Sequence, residues 1–336
     1  MTLSKSIICS LPSPQSDANT HKHPATKREV QRTRANQYFK ASIMQIVFLL
    51  LASALGAIGT SAYQPLQGVM VKSVRRADAA TGGQVDVGEF LSNEKALVVF
   101  GTYAADFNAI EYGQRLRYYW PKLEQEKGIK KCALLLNCQP SAAVTLAETL
   151  DLPESIELWV DNKGEVGRKF GVGLGWLAEE KEINPFLKLF GMLFGLGAWA
   201  TLPAVIGGYI GNPFVAQPWI EDALAVGQRQ GRWPDTALVL STDKSQVVAN
   251  KFAELPIVGE WPRRPLELAT LRLQSMLGIS LAKWKELAPD TDALEAGVLT
   301  QLGGCLITDE KGEALYEYRD QGICAVANFE TILKRI

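Results

Sequence analysis

Histidine is absent from every position after His23. Both histidines, His21 and His23, lie in a polar leader. Unless that leader folds onto the rest of the chain, Ser-His-Asp hydrolysis, Cys-His nucleophilic catalysis and histidine-based zinc or iron sites are excluded. Cysteine is scarce: five occur, at 9, 132, 138, 305 and 324, with no CxxC and no spacing that suggests a zinc ribbon or a small stapled scaffold. An excess of one charge is also lacking, since 35 Lys and Arg stand against 36 Asp and Glu, so no global field draws the chain to nucleic acid. There is no P-loop or dinucleotide fingerprint. The glycines of GVGLG at 171–175 lack the strand-loop-helix setting of a phosphate loop, and neither a cofactor nor a metal is implied.

What is present is a chain of 336 residues, 47% hydrophobic, able to bury one substantial core or two modest ones. Residues 1–43 carry seven Lys or Arg, two acids and many Ser, Thr and Pro, and read as a disordered leader or a gene-model artefact, with translation starting at Met44. Residues 44–62, MQIVFLLLASALGAIGTSA, are apolar, uncharged and end in small residues, which suits a signal peptide or a short anchor helix; cleavage is the preferred reading. Residues 63–87 read as a transit-like segment, with Lys72, Arg75 and Arg76 ahead of the first acid at Asp78. This order resembles the bipartite targeting leader of algae with secondary plastids, Tyr63 standing where an aromatic residue follows signal cleavage. The resemblance implies the chloroplast of such an alga, stroma or thylakoid surface, and a mature chain beginning between Tyr63 and Val87.

From residue 88 onward the pattern alternates. Residues 96–103 predict a buried strand and 106–126 a helix stopped at Gly128. CALLLN at 132–137, AAVTLAETL after Ser141 and SIELWVD at 155–161 predict strand, helix and strand, with a turn at 161–164 and a short helix at 165–172. GGCLITDEKGEALYEYRD at 303–320 predicts a hairpin turning at Asp309 to Gly312, and AVANFETILKRI a closing helix. The predicted fold class is therefore α/β, a thioredoxin-like three-layer sandwich over 88–336. A long apolar helical insertion, at about 173–300, separates its two halves. Within it, no charge occurs between Lys188 and Glu221, while repeated Gly and Pro argue against one straight helix. Residues 189–220 are left as buried, interfacial or spanning, in contact with a protein or with the thylakoid membrane. Arg263 and Arg264, beside a predicted helix start at Pro265, are read as solvated charge.

The stretches LVVFGTYAADFNAIEYGQRLRYYWP, FLKLFGMLFGLGAWATLPAVIGGYIGNPF, RRPLELATLRLQSMLGIS and YRDQGICAVANFETIL resemble the peroxiredoxin-like branch of the alkyl hydroperoxide reductase and thiol-specific antioxidant (AhpC/TSA) family, in its cyanobacterial and plastid type. The resemblance implies a reactive cysteine where the first strand meets the first helix, its thiolate stabilised by helix N-terminal amides. Residues 101–111 hold none. The corresponding turn offers Thr102, Tyr103, Asp106, Glu111 and Arg115, and a carboxylate cannot form a sulfenic acid. Two cysteines are candidates for the displaced role: Cys138, directly after the second strand, and Cys324, between the last strand and the last helix. The reading is a peroxiredoxin-like plastid protein lacking the usual peroxidatic cysteine and serving as a binding or scaffold component. The alternative is an atypical thiol-dependent oxidoreductase or peroxidase, acting on a small thiol or peroxide through Cys138 or Cys324.

Overall fold

Strand β3, Ala96–Phe100, is five apolar residues with no polar alternation, and all five are buried, as expected of a strand covered on both faces. In the computed structural model, which describes residues 63–207, 217–232, 238–242, 247–250 and 265–336, it is an interior strand of a seven-stranded sheet. Residues 1–62, which hold the leader and the 44–62 run, and the segment holding Arg263 and Arg264 lie outside the described residues.

The first elements are strands β1, Met70–Arg75, and β2, Ala80–Asp86, then a short helix α1, Val87–Phe90. After β3 come α2, Phe107–Lys127; β4, Lys131–Leu136; α3, Pro140–Leu150; β5, Glu157–Val160; and α4, Glu165–Phe170. Strand β3 pairs in parallel with β4, and β4 in parallel with β5. The chain returns to the sheet with β8, Gly304–Thr308, and β9, Ala314–Arg319, and closes with α11, Phe329–Arg335. Strand β8 lies antiparallel to β3, and β9 antiparallel to β8, giving the order β2-β1-β5-β4-β3-β8-β9.

Period-two alternation divides each central strand between two cores. Leu97 and Val99 of β3, Cys132, Leu134 and Leu136 of β4, and Cys305 and Ile307 of β8 join the larger core, with α2, α3 and α11. Ala96, Val98 and Phe100, with Ala133, Leu135 and Leu306, face a smaller core built from Leu66, Val87, Phe90, Trp159, Val166 and Phe170. Helix, sheet and helix make three layers, the thioredoxin-like α/β arrangement expected from the sequence.

Two boundaries differ from the sequence reading. The segment 63–87, read as transit-like, includes the β1–β2 hairpin, and β1 pairs antiparallel with β5 through Lys72 opposite Val160 and Ser73 opposite Trp159. Arg76, counted there as a targeting charge, donates to the carbonyls of Leu152, Pro153 and Ile156 at 2.6 to 2.8 Å. The folded unit thus begins ahead of residue 88. Helix α11 starts later than expected, at Phe329, because Cys324 takes a left-handed backbone (φ 64°) and Asn328 Oδ1 caps the helix by accepting from Thr331 N at 2.7 Å.

Between α4 and β8 the described residues form α5, Pro185–Leu193; α6, Thr201–Val205; α7, Trp219–Arg229; strands β6, Leu238–Leu240, and β7, Val247–Asn250; and helices α8, Pro265–Ala282, α9, Trp284–Leu287, and α10, Thr291–Glu295. Strands β6 and β7 pair only with each other. Trp219, Ile220, Leu224, Met276 and Leu287 are buried in the larger core, so α7, α8 and α9 extend that core. Helices α5 and α6 are different. They bury Met192, Ala198 and Thr201 but expose Phe190, Phe194 and Trp199 by 57%, 62% and 68%. No helix among the described residues is long and apolar enough to cross a membrane.

Candidate functional site

The turn between β3 and α2 is set by the end of the sheet. Gly101 N donates to Leu135 O, Asn137 N donates to Thr102 O, and Asp106 N closes the turn onto Tyr103 O at 2.9 Å. All five residues expected at this turn, Thr102, Tyr103, Asp106, Glu111 and Arg115, are buried.

Asp106 occupies the N-cap position of α2 with extended backbone, yet its side chain makes no capping hydrogen bond of good geometry. Burial pushes its carboxyl up to about 6. The Thr102 hydroxyl draws that value down while falling short of hydrogen-bond geometry, and Thr102 Oγ1 is without a partner. Burial, followed by the Asp106 charge, raises the Tyr103 phenol well above its ordinary range.

Glu111 and Arg115 leave the turn and serve the helix interface. Arg115 donates from Nε and Nη2 to Glu111 Oε1 at 2.9 and 2.7 Å, stacks its guanidinium 4.6 Å from the Trp219 ring centroid, and lies 3.6 Å from Glu330. This is an ion pair spent on holding α2, α7 and α11 together.

The group that does meet the N-terminus of α2 was not read from the sequence. Asp320, at the end of β9, is 3% exposed and accepts from Tyr112 Oη at 2.6 Å and Asn108 Nδ2 at 2.8 Å. Burial pushes Asp320 up to about 8, the two donors pulling downward and the charges of Asp106 and Glu111 upward. Gly303 is needed beside it, because a side chain there would meet Phe100 O at 2.5 Å and Asp320 Oδ2 at 2.9 Å. Asn108 and Asp320 are 212 positions apart, and no spacing signal connects them. Tyr112 is within the quoted stretch, but its partner lies 208 residues further along the chain.

Cys324 comes to the same place. Its amide donates to Asn108 Oδ1 at 2.6 Å, and the preceding Ile323 amide donates to Thr201 Oγ1 at 3.0 Å. The side chain is half-buried between the larger core and the small cluster of Met192, Ala198, Leu302 and Ile323. The helix terminus near Cys324 is therefore that of α2; its own helix, α11, begins five residues later. Cys138 is elsewhere. It borders a cavity of about 440 Å³ with Gln139 and Asn162, but is 1% exposed, so its position after the second strand does not open it to solvent. Burial, then the Asp290 charge, raises its thiol pKa far above the ordinary value. Cys132 and Cys305 are buried in strands, and none of the four described cysteines is in a disulfide. Among the described residues, no three His, Cys, Asp or Glu side chains gather as a metal-binding group.

Comparison with known proteins adds the family. A sequence profile described as AhpC/TSA antioxidant enzyme matches residues 115–322, well over half the chain. No curated protein and no solved structure matches. The match begins within α2 and runs through β9 into the loop that carries Asp320, so it spans most of the sheet described above. The chain belongs to the AhpC/TSA antioxidant enzyme family.

Proposed function

We propose that this peroxiredoxin-like AhpC/TSA member acts as a binding component at a membrane surface, the thylakoid if the leader is read as a plastid address, and not as a peroxidase at the β3–α2 turn. The observation that carries the proposal is the outward face of 186–206. Nine large apolar side chains there, from Phe186 to Ile206, are each 46% to 68% exposed. Large apolar side chains exposed together along one short segment are a mark of an interaction surface, and an amphipathic segment can lie in a bilayer interface without crossing it. The absence of sulfur from residues 101–111 and the burial of Tyr103 to Asp106 support the non-peroxidatic half of the reading.

The test is flotation of the full chain with uncharged phospholipid vesicles, carrying Leu50→Asp to weaken any contribution from 44–62. Flotation that Phe190→Glu and Trp199→Glu abolish is the expected result. Recovery of the parent chain entirely in the soluble fraction at low salt overturns it.

A second reading is favoured by one specific contact, the bond between Cys324 N and Asn108 at the start of α2. A Cys324 thiolate there would take one oxygen from a hydroperoxide, releasing the alcohol or water. Two equivalents of a small thiol would return the sulfenic acid to the thiol, yielding water and the donor's disulfide. Thiol-dependent peroxide turnover lost in Cys324→Ser supports this reading; no turnover with any thiol donor removes it.

A further inference from the structure

Helix α5 is amphipathic in the reverse sense. Phe186, Leu187, Phe190 and Leu193 face outward, while its one charged side chain, Lys188, is only 7% exposed. Its stem is covered while the ammonium keeps some solvent contact, so an anion or hydrogen-bond acceptor can reach it. The Lys188 ammonium has neither a hydrogen bond nor an ion pair among the described residues.

Lys188 lines a cavity of about 720 Å³ between the 174–188 segment and residues 291–300, a volume typical of small-molecule sites. Leu174, Ile183, Leu294 and Leu299 give it apolar walls. Two other cations line it: Lys181 is exposed, and Arg168 is already engaged, donating to Gln301 Oε1 at 2.8 Å, to Ala296 O at 3.3 Å and to Lys163 O. The Thr300 hydroxyl donates to Leu174 O at 2.9 Å. The cation in this cavity that is nine-tenths buried as a residue and whose head is unspent is therefore Lys188. Glu179 and Glu295 also line it against Arg168, Lys181 and Lys188, leaving one net positive charge, which suits a monoanion better than a polyanion.

We propose that this cavity binds an organic monoanion, a carboxylate with a short apolar body, whose head accepts hydrogen bonds from Lys188 Nζ while its tail lies on the leucine and isoleucine walls. The site is separate from the turn at Asp106 and from the exposed face of α5, and it stands whether or not the membrane reading holds.

The experiment is calorimetric titration of the full-length protein with octanoate, octanol and inorganic phosphate. Octanoate binds, octanol at least roughly tenfold more weakly, and phosphate does not compete, because a charge-assisted bond and apolar burial are both required. Lys188→Met weakens octanoate at least about tenfold, and Lys188→Arg, which keeps the charge, retains most of the affinity. Thermal unfolding of both variants confirms that they are folded. Equal affinity of octanoate and octanol, equal affinity of the parent and Lys188→Met for octanoate, or no octanoate binding by the folded parent overturns the proposal. Phosphate binding as tightly as octanoate overturns its apolar half.

Discussion

Asp320 is a carboxyl group whose chemistry is set by where the chain puts it. Buried under α2, with a pKa pushed up to about 8, it is protonated in the folded protein at pH values where an unfolded aspartate, near 3.9, is ionised. The folded state then binds one more proton than the unfolded state between about pH 4 and pH 8, so this residue makes stability fall as pH rises through that window. Asp106, raised to about 6, adds the same sign between about pH 4 and pH 6. We expect Asp320→Asn to lose about 1 kcal/mol of stability at pH 5 through poorer pairing with Tyr112 and Asn108, and to become the more stable protein before pH 8, because only the parent loses about 1.4 kcal/mol per pH unit across that window. Thermal unfolding of both proteins across pH 5–8 measures it, and a difference constant with pH would show that the carboxyl does not titrate as argued. Thiol chemistry belongs to this scale as well. Cys132, Cys138 and Cys305 are each at most 1% exposed and burial raises all three thiols, whereas Cys324 is half-buried. Maleimide labelling of the native protein near pH 7.5, read by peptide mapping over the described residues, should modify Cys324 and spare the other three, and Cys324→Ser should leave all of them unlabelled.

At the level of elements, the second helix is tied to the seventh by a buried arginine that pairs with a glutamate of its own helix and stacks on an aromatic ring of the other. Arg115 and Glu111 are 6% and 1% exposed, and Trp219, over which Arg115 stacks, is 0% exposed. Removing Arg115 deprives a buried carboxylate of its arginine, so Arg115→Met should cost about 3–5 kcal/mol in urea unfolding. The double variant Glu111→Leu with Arg115→Met should cost markedly less, because no charge is then stranded. The elements themselves were largely legible in the sequence. ALVVF, KCALLL and GCLIT are short apolar runs with no competing helical period, and Gly128 and the Asp309–Gly312 turn mark stops that local chemistry dictates. The hairpin β1–β2 was not legible. ATGGQVD is an edge strand with few buried side chains, and nothing local separates an edge strand of Gly, Thr and Gln from an unfolded linker. The start of α11 was misplaced because AVAN continues its apolar period, whereas the helix is held back by a left-handed turn at Cys324 that bonds to Asn108. The candidate site fared similarly: Thr102 to Arg115 could be named from one stretch, but what they touch comes from residues near 219 and 320.

On the scale of the whole molecule, the N-terminal hairpin decides where the folded unit begins. Leu66, Val69 and Val71 are 0%, 5% and 3% exposed and roof the smaller core over Phe90, Trp159 and Phe170. Tyr63 reaches across to the other end of the sheet, donating its amide to Gly312 O at 2.9 Å and packing its ring 6.0 Å from Phe170. Removing 63–87 would therefore expose one face of Trp159 and Phe170, leave the outer edge of β5 unpaired, and strip three carbonyls of their Arg76 donor. Each fully buried aliphatic side chain lost contributes about 1.5–3 kcal/mol of burial, so removing Leu66, Val69 and Val71 together is comparable to the whole stability of an ordinary domain. An open β5 edge would add an aggregation-prone surface. A chain beginning at Tyr63 should accordingly be monodisperse and unfold cooperatively, whereas one beginning at Gly88 should be recovered aggregated or without a cooperative transition. Gel filtration and calorimetry of the two distinguish these outcomes. If the shorter chain unfolds cooperatively at a similar temperature, the hairpin is an appendage, and processing anywhere between Tyr63 and Val87 becomes compatible with the fold. If it does not, any cleavage that yields a stable protein has to leave Tyr63 to Arg76 on the mature chain, because those residues supply the roof, the edge pairing and the carbonyl clamp.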